Sequence, residues 1–210
     1  DEFKAKFDEG LKAFVTWFND THKTEFDAHL AEEASVNALG HIKAVTSPIT
    51  YYVDINRPDN SGDGLTPATA FKNLQYAINK VPKYLKATVK IRVMAGDYST
   101  ENQIFIEGFY GSGNLIVTAF DGVSEVTSQD SAVNYKVSAF YVLRCNTDIA
   151  VHSFTSTYTG TDYHGFVAYQ CKYVTFGYCV DIVNKTTKVA FEFRFSNGQV
   201  LQSIGSNKYV

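Results

Sequence analysis

The chain has 210 residues, of which 45% are hydrophobic, and its formal net charge is −3 at pH 7. This length fits one domain with an appendage. No run of about 18 apolar residues occurs, which argues against membrane insertion. No basic stripe occurs, which argues against nucleic acid as a partner. The chain does not begin with Met and shows no signal peptide, so we expect an excised or processed fragment.

Residues 1–46 are predicted to form a helical neck. Five apolar residues recur at spacings of four, four, three and four, close to those of a coiled coil: Phe3, Phe7, Leu11, Phe14 and Phe18. A second helical segment has Phe26, Leu30 and Ala34 in phase. Lone helices of this length are marginal in water, so the seam must pack either on the downstream body or on copies of itself. We expect Phe7, Leu11, Phe14 and Phe18 to form a trimer neck.

Residues 47–98 predict a strand, a polar loop, a short helix and a second strand. The loop 56–64 is dense in turn-forming residues. Apolar residues then recur at helical spacing over 71–81, and Pro82 ends that helix. Residues 89–93 alternate as a strand does. We expect no cofactor and no metal; calcium at Asp54, Asp59 and Asp63 is a weaker alternative, because oxygen-rich turns suit it.

The rest of the chain predicts short strands punctuated by glycines. The predicted strands are Gln103–Ile106, Asn114–Phe120, Tyr135–Leu143, Ile149–Phe154, Phe166–Phe176 and Val189–Phe195. No long helix lies between them, which excludes a doubly wound fold, while a β-sandwich remains an alternative.

An internal repeat aligns 140–145 with 166–171 and 192–197, so that Cys145, Cys171 and Asn197 are equally spaced along the chain. Side chains alternate between the two faces of a strand. One of the two alternating sets of aligned positions, which we call one parity, should therefore point inward. We expect that parity to include Tyr141, Leu143, Val167, Tyr169, Phe193 and Phe195. The other parity is then outward, and it supplies the predicted saccharide or partner contacts: Phe140, Arg144, Phe166, Gln170 and Arg194.

Two stretches resemble known families. The Tyr51-Tyr52-Val53-Asp54 strand, the Gly62-Asp63-Gly64-Leu65-Thr66 loop, residues 70–78 and the closing Ala95-Gly96-Asp97-Tyr98 together resemble the start of a pectate-lyase-like, right-handed parallel β-helix. The resemblance implies a β-helix body over residues 47–210, with 47–87 as its first strand, loop and capping helix. That fold hosts lyases, hydrolases, esterases and non-enzymatic phage appendages, so it does not by itself give function.

Residues 1–45, with Phe14-Val15-Thr16-Trp17-Phe18-Asn19, resemble the helical neck of baseplate and receptor-binding tail proteins from phages of Gram-positive bacteria. This resemblance implies a homotrimer located in the virion. Its implied partners are other baseplate or tail proteins and host cell-wall saccharide.

The sequence offers no catalytic set. Asn146-Thr147-Asp148 is similar to a tripeptide of β-helical polygalacturonases, but the other motifs of those enzymes are missing. No rule brings together any two of the candidate carboxylates in the body: Asp148, Asp162, Asp181 and Glu192. We therefore expect structural or adhesive function. A polysaccharide-degrading tailspike fragment, hydrolase or lyase, is the alternative, and a secreted cell-wall adhesin is a weaker one.

Cys145, Cys171 and Cys179 are expected to be buried free thiols. They are odd in number and form no Cys-x-x-Cys motif. Free cysteine is among the most buried residue types, so we favour this interpretation over a zinc site or a disulfide framework.

Overall fold

The computed structural model describes residues 2–17, 19, 43–159, 164–181 and 190–203, and the backbone of 207–209. The chain divides into two compact units, Asp1–Ala44 and Val45–Val210. The predicted second neck segment, with Phe26, Leu30 and Ala34, lies outside the described residues, as do Phe18 and Asp162.

Helix α1 (Glu2–Trp17) confirms the predicted N-terminal helix, and none of its residues is buried. It begins with an acidic residue, Glu2, which suits the positive end of the helix dipole. Its described seam residues are all exposed: Phe3, Phe7, Leu11 and Phe14. The rings of Phe14 and Trp17 are 5.8 Å apart along the helix.

The second unit is mostly β, as the alternating patterns predict. Its described strands, with β1 beginning at the last residue of the first unit, are β1 (Ala44–Val45), β2 (Ile49–Val53), β3 (Tyr84–Leu85), β4 (Val89–Val93), β5 (Gly96–Asp97), β6 (Gln103–Glu107), β7 (Tyr110–Ala119), β8 (Tyr135–Val137), β9 (Ala139–Leu143), β10 (Asn146–His152), β11 (Thr155–Ser156), β12 (Phe166–Tyr169), β13 (Tyr173–Gly177), β14 (Val180–Asp181), β15 (Phe191–Arg194), β16 (Gly198–Leu201) and β17 (Asn207–Tyr209). Two short helices, α2 (Leu74–Lys80) and α3 (Gln129–Ala132), lie between strands.

The strands form three sheets. Sheet A has the order β1-β3-β7-β10-β13-β16, and β4 joins β2 to β7; sheet B has the order β5-β8-β11-β14, and sheet C the order β6-β9-β12-β15-β17. From β4 to β15, successive strands of the chain visit sheets A, B and C in that order, four times. Apart from the β1–β3 pair, the strand pairs in the described residues are parallel. This pattern is incompatible with the alternative of an antiparallel β-sandwich.

The register of sheet C corrects the predicted repeat. Phe166 pairs with Phe140, as the alignment predicts, but on its other side it pairs with Phe191, one position before the predicted partner Glu192. The three phenylalanine rings are buried and stack in the core at centroid distances of 6.3 Å and 5.0 Å. Val142 and Ala168 belong to the same core. The predicted inward parity is therefore wrong in β9 and β12 but right for Phe193 in β15, because the shift of one position reverses the faces of β15 relative to the alignment. Phe195, also predicted to point inward, is 75% exposed at the corner after β15.

Left-handed corners follow several strands, which sequence reading did not predict. After the strands of sheet C, φ is positive at Gly108, Arg144, Gln170 and Phe195. After strands of sheet A, it is positive at Ser153, Tyr178 and Gln202. Backbone bonds tie corners to the next turn of chain: Arg144 N–H donates to the Tyr169 carbonyl at 2.8 Å, and Gln170 N–H to the Arg194 carbonyl at 2.9 Å. The corners break the predicted continuous strand 166–176 at Gln170.

Helix α2 packs against the first strands through Leu74, Ala77 and Ile78, which are fully buried. The Glu101 carboxylate accepts hydrogen bonds from the N–H groups of Leu74 and Gln75 at 2.9 and 3.0 Å. It thereby satisfies donors that every helix start leaves unpaired. The Gln75 side chain in turn bonds both backbone groups of Phe105 in β6. The helix thus covers the first strand of sheet C.

Candidate functional site

The alternate residues of sheet C that point away from the core form one continuous surface. We call it the outer face of sheet C; it comprises Phe105, Tyr141, Leu143, Val167, Tyr169, Glu192 and Arg194, which pair across neighbouring strands. A depression of about 190 Å³ lies on it. The lining residues are Tyr141, Leu143, His164, Val167, Tyr169, Glu192 and Arg194.

Aromatic rings run across this face from one strand to the next. Phe105 lies 5.4 Å from Tyr141, and Tyr169 lies 6.1 Å from Phe195 at the corner after β15. Phe105 is 42% exposed and Phe195 is 75% exposed. Tyr141 packs with Val167 in a small apolar cluster separate from the main core. The exposed rings of Phe105 and Phe195 offer flat apolar area at the edges of this face.

The polar centre of the face is Glu192, whose side chain is almost fully buried. One carboxylate oxygen lies 2.8 Å from His164 Nε2, and the other accepts a hydrogen bond from Arg194 Nε at 2.7 Å. A buried carboxylate is costly unless it is paired and hydrogen-bonded, and these two partners supply both. Strand β15 positions Glu192 and Arg194, while His164 lies just before β12 begins.

The predicted contact residues fall in three places. Phe140 and Phe166 lie in the core at 0% exposure. Their prediction as outward contact residues is therefore wrong. Arg144 and Gln170 are exposed at left-handed corners, and Arg144 forms an ion pair with Glu107. Arg194 lies on the outer face, as predicted.

Sequence reasoning missed Tyr141, Tyr169 and His164 as members of the site. The two tyrosines were assigned to the core because the repeat was aligned at one constant spacing throughout. The ladder of buried rings at Phe140, Phe166 and Phe191 was a usable signal, because like residues stack on successive strands of a parallel sheet. Nothing in the sequence pairs His164 with Glu192.

The described candidate carboxylates are spread over three sheets. Asp148 lies in β10 of sheet A and forms an ion pair with Lys172 at 3.0 Å. Asp181 lies in β14 of sheet B and pairs in register with Ser156. Glu192 lies in sheet C. These three carboxylates therefore do not share a sheet.

The aspartates considered for calcium hold turns together. Asp54 accepts hydrogen bonds from Asn56, and Asp59 accepts one from Ser61 N–H at 2.8 Å. Asp63 accepts bonds from Leu65 N–H at 2.9 Å and from the Thr69 hydroxyl at 2.5 Å. Hydrogen bonds from the Ser61 side chain and then its backbone lower the pKa of Asp59, and the bond from the Thr69 hydroxyl lowers the pKa of Asp63. Among the described residues no group of three or more His, Cys, Asp or Glu is arranged to hold a metal ion.

Comparison with known proteins gave no match to any family model, curated protein or solved structure. Within the described ranges, no helix has the length and apolar character needed to cross a membrane. Inference about function therefore rests on the geometry of the chain itself.

Proposed function

We propose that residues 47–210 form a right-handed parallel β-helix whose outer sheet C face binds cell-wall saccharide, and that the chain is an adhesion component of a phage tail or baseplate. The β-helix is supported by the parallel pairing and by the repeated order of sheets A, B and C along the chain. In such a helix each sheet presents one flat, ladder-like face to solvent.

The observation that carries the binding proposal is the composition of the outer face of sheet C. Rings suited to the apolar faces of sugars lie beside a fixed, buried Glu192 carboxylate and the half-exposed Arg194 guanidinium. The exposed part of the Arg194 guanidinium can donate to sugar hydroxyls, and the buried Glu192 carboxylate holds that guanidinium in place. The ion pairs at Glu192 and at Glu107 balance the charges on this face, which favours an uncharged glycan.

Binding is favoured over cleavage for this site. Glu192 is the one carboxylate among the described residues that line the depression. General acid–base hydrolysis uses two carboxyl groups held in different protonation states at one reaction centre. A polysaccharide-degrading activity would therefore need a second group from elsewhere, and it remains the alternative that the experiment below tests.

The neck supports a trimeric form of this adhesin. The exposed seam of α1 is spaced for a coiled coil, and a stripe of large apolar side chains is a liability in a monomer. Three linked copies of a weak site gain avidity without any new contact. The expected partners are therefore a second and third copy, other tail proteins and the host wall.

The test is binding of the full chain to purified wall polysaccharides from a panel of Gram-positive bacteria. Tyr169→Ala and Arg194→Ala are each expected to weaken binding about tenfold, because each removes a contact of roughly 1–2 kcal/mol. Tyr173→Ala, which removes an exposed tyrosine from sheet A, is the matched control and should bind as the wild type does. Equal loss in all three variants, or no binding at all, would refute the proposed face. Release of oligosaccharides that stops in Glu192→Gln would instead identify a depolymerase.

A further inference from the structure

Two of the three cysteines lie beside each other on successive turns of the chain. Leu143 pairs with Tyr169 in sheet C, so Arg144 lies beside Gln170 and Cys145 beside Cys171 just beyond the strands. The backbone continues this pairing, because Lys172 N–H donates to the Cys145 carbonyl at 2.8 Å. Neighbouring strands are about 4.8 Å apart, and a disulfide joins Cα atoms about 4.4–6.8 Å apart.

The two sulfur atoms occupy equivalent surroundings. Cys145 Sγ lies 3.5 Å from the Ile106 carbonyl oxygen and 3.4 Å from that of Leu143. Cys171 Sγ lies 3.3 Å from the Val142 and Tyr169 carbonyl oxygens. Both side chains therefore point the same way from equivalent corners, and each thiol is within hydrogen-bonding reach of the other.

We propose that Cys145 and Cys171 are a disulfide-forming pair, closed by a small peroxide and linking the turn after β9 to the turn after β12. The Cys171 thiolate attacks one peroxide oxygen, the O–O bond breaks, and hydroxide leaves, which gives Cys171 sulfenic acid. The Cys145 sulfur then attacks the Cys171 sulfur and displaces that oxygen as water. The thiol proton of Cys145 ends on the departing water, and one peroxide has oxidised two thiols.

The order of these steps follows from the environment of each sulfur. Hydrogen bonding from the Cys145 thiol lowers the pKa of Cys171, whereas the pKa of Cys145 is raised, first by that same bond and then by burial. Cys171 is also the more accessible of the two, at 5% exposure. It is therefore the sulfur that a peroxide meets as a thiolate.

Cys179 is an internal control for this reaction. It follows the Tyr178 corner after a strand of sheet A, whereas Cys145 and Cys171 follow strands of sheet C. Its backbone N–H donates to the Ser203 hydroxyl at 2.9 Å. Burial raises its pKa to about 12. It should stay reduced while the other two cysteines react.

The experiment oxidises the folded full chain with hydrogen peroxide, unfolds it, alkylates the remaining thiols and maps the peptides by mass spectrometry. We expect the number of alkylated thiols to fall from three to one, with a peptide pair joining Cys145 to Cys171 and the label on Cys179. Thiol reduction should restore three labels. Cys179→Ser should still close the link, and Cys145→Ser should stop at Cys171 sulfenic acid or its further oxidation products.

Serine variants are suitable because Ser196 already occupies the position equivalent to Cys171 on the next turn of chain. Its hydroxyl accepts a hydrogen bond from Cys171 N–H at 2.9 Å. Three alkylated thiols after oxidation would overturn the proposal. A link that involves Cys179, or one between two chains, would overturn it as well.

Discussion

Val167 lies opposite Glu192 in the parallel pairing of β12 with β15, and this one relationship decides which side chains of β15 point away from the main core. It places Glu192 on the same face as Tyr141 and turns Phe191 and Phe193 into the core. Had Val167 paired with Phe193, the carboxylate would have faced the core without its present partners. The register thus places one charged pair, Glu192 and Arg194, on an otherwise aromatic and aliphatic outer face.

The first prediction tests this register by stability. Phe166→Ala should lower the free energy of unfolding by about 3–5 kcal/mol, the usual effect of deleting a buried aromatic ring. The ring is fully buried between Phe140 and Phe191. Phe195→Ala is the matched control and should cost less than about 1 kcal/mol, because that ring is mostly exposed. Urea unfolding of both variants measures the difference, and equal losses would contradict the assignment of faces.

The sequence predicted the elements better than it predicted their faces. Helix α2 and strand β4 lie within their predicted ranges, since their apolar spacing is strongly periodic. The faces of sheet C depended on whether successive turns of chain have the same length, and local patterning does not encode a difference of one position. The prediction of the site residues failed for the same reason. Tyr141 and Phe140 are both aromatic, and only the register shows that Phe140 points into the core and Tyr141 away from it.

The corners were missed because most of their residues carry no turn signal. Positive φ normally favours glycine or asparagine, yet Arg144, Gln170, Tyr178 and Phe195 adopt it here. Hydrogen bonds to the next turn of chain hold Arg144, Gln170 and Tyr178 in that conformation, and those bonds exist only after the sheets have stacked. Tertiary context therefore overrides the local preference.

The second prediction concerns strain at these corners. Gln170→Gly removes the Cβ clash of a left-handed residue, worth about 1–2 kcal/mol, against a chain-entropy cost of about 0.5–1 kcal/mol. We expect unchanged or slightly higher stability. Gln199→Gly, in strand β16, gains no such relief and should lose about 1 kcal/mol. Denaturation midpoints compare the two, and a larger loss at Gln170 would argue against strain there.

The third prediction is a loss of stability in mild acid that depends on His152. Burial lowers the pKa of His152, and the charge of Glu125 opposes this effect only in part. Glu125 is itself engaged by Lys90 at 2.5 Å and Arg92 at 3.2 Å. In the described residues His152 Nε2 is buried without a hydrogen-bond partner, so protonating the ring inside the fold is unfavourable.

The sign follows from proton binding. Below its ordinary pKa of about 6.5, His152 takes up a proton more readily in the unfolded chain than in the folded one. Stability is therefore complete above about pH 6.5 and falls as the pH drops, until the folded pKa is passed. The slope is at most about 1.4 kcal/mol per pH unit. His152→Gln should flatten the dependence of stability on pH between about pH 5 and 7. An unchanged slope in His152→Gln would exclude His152 as its source.

The last prediction concerns assembly through α1. The intact chain should scatter light as three times its 23.4 kDa, because three copies of the helix can bury the seam that one copy leaves in water. Phe7, Leu11 and Phe14 are 62%, 52% and 57% exposed, and covering apolar area is worth about 25 cal/mol per Å². Leu11→Lys would place a charge in the centre of the trimer interface, where it has no partner. That variant should lower the mass toward one chain at micromolar concentration, whereas Lys12→Glu, a change beside the seam, should keep the trimer. A monomeric wild type would refute the neck, and a trimer that survives Leu11→Lys would assign assembly to another surface.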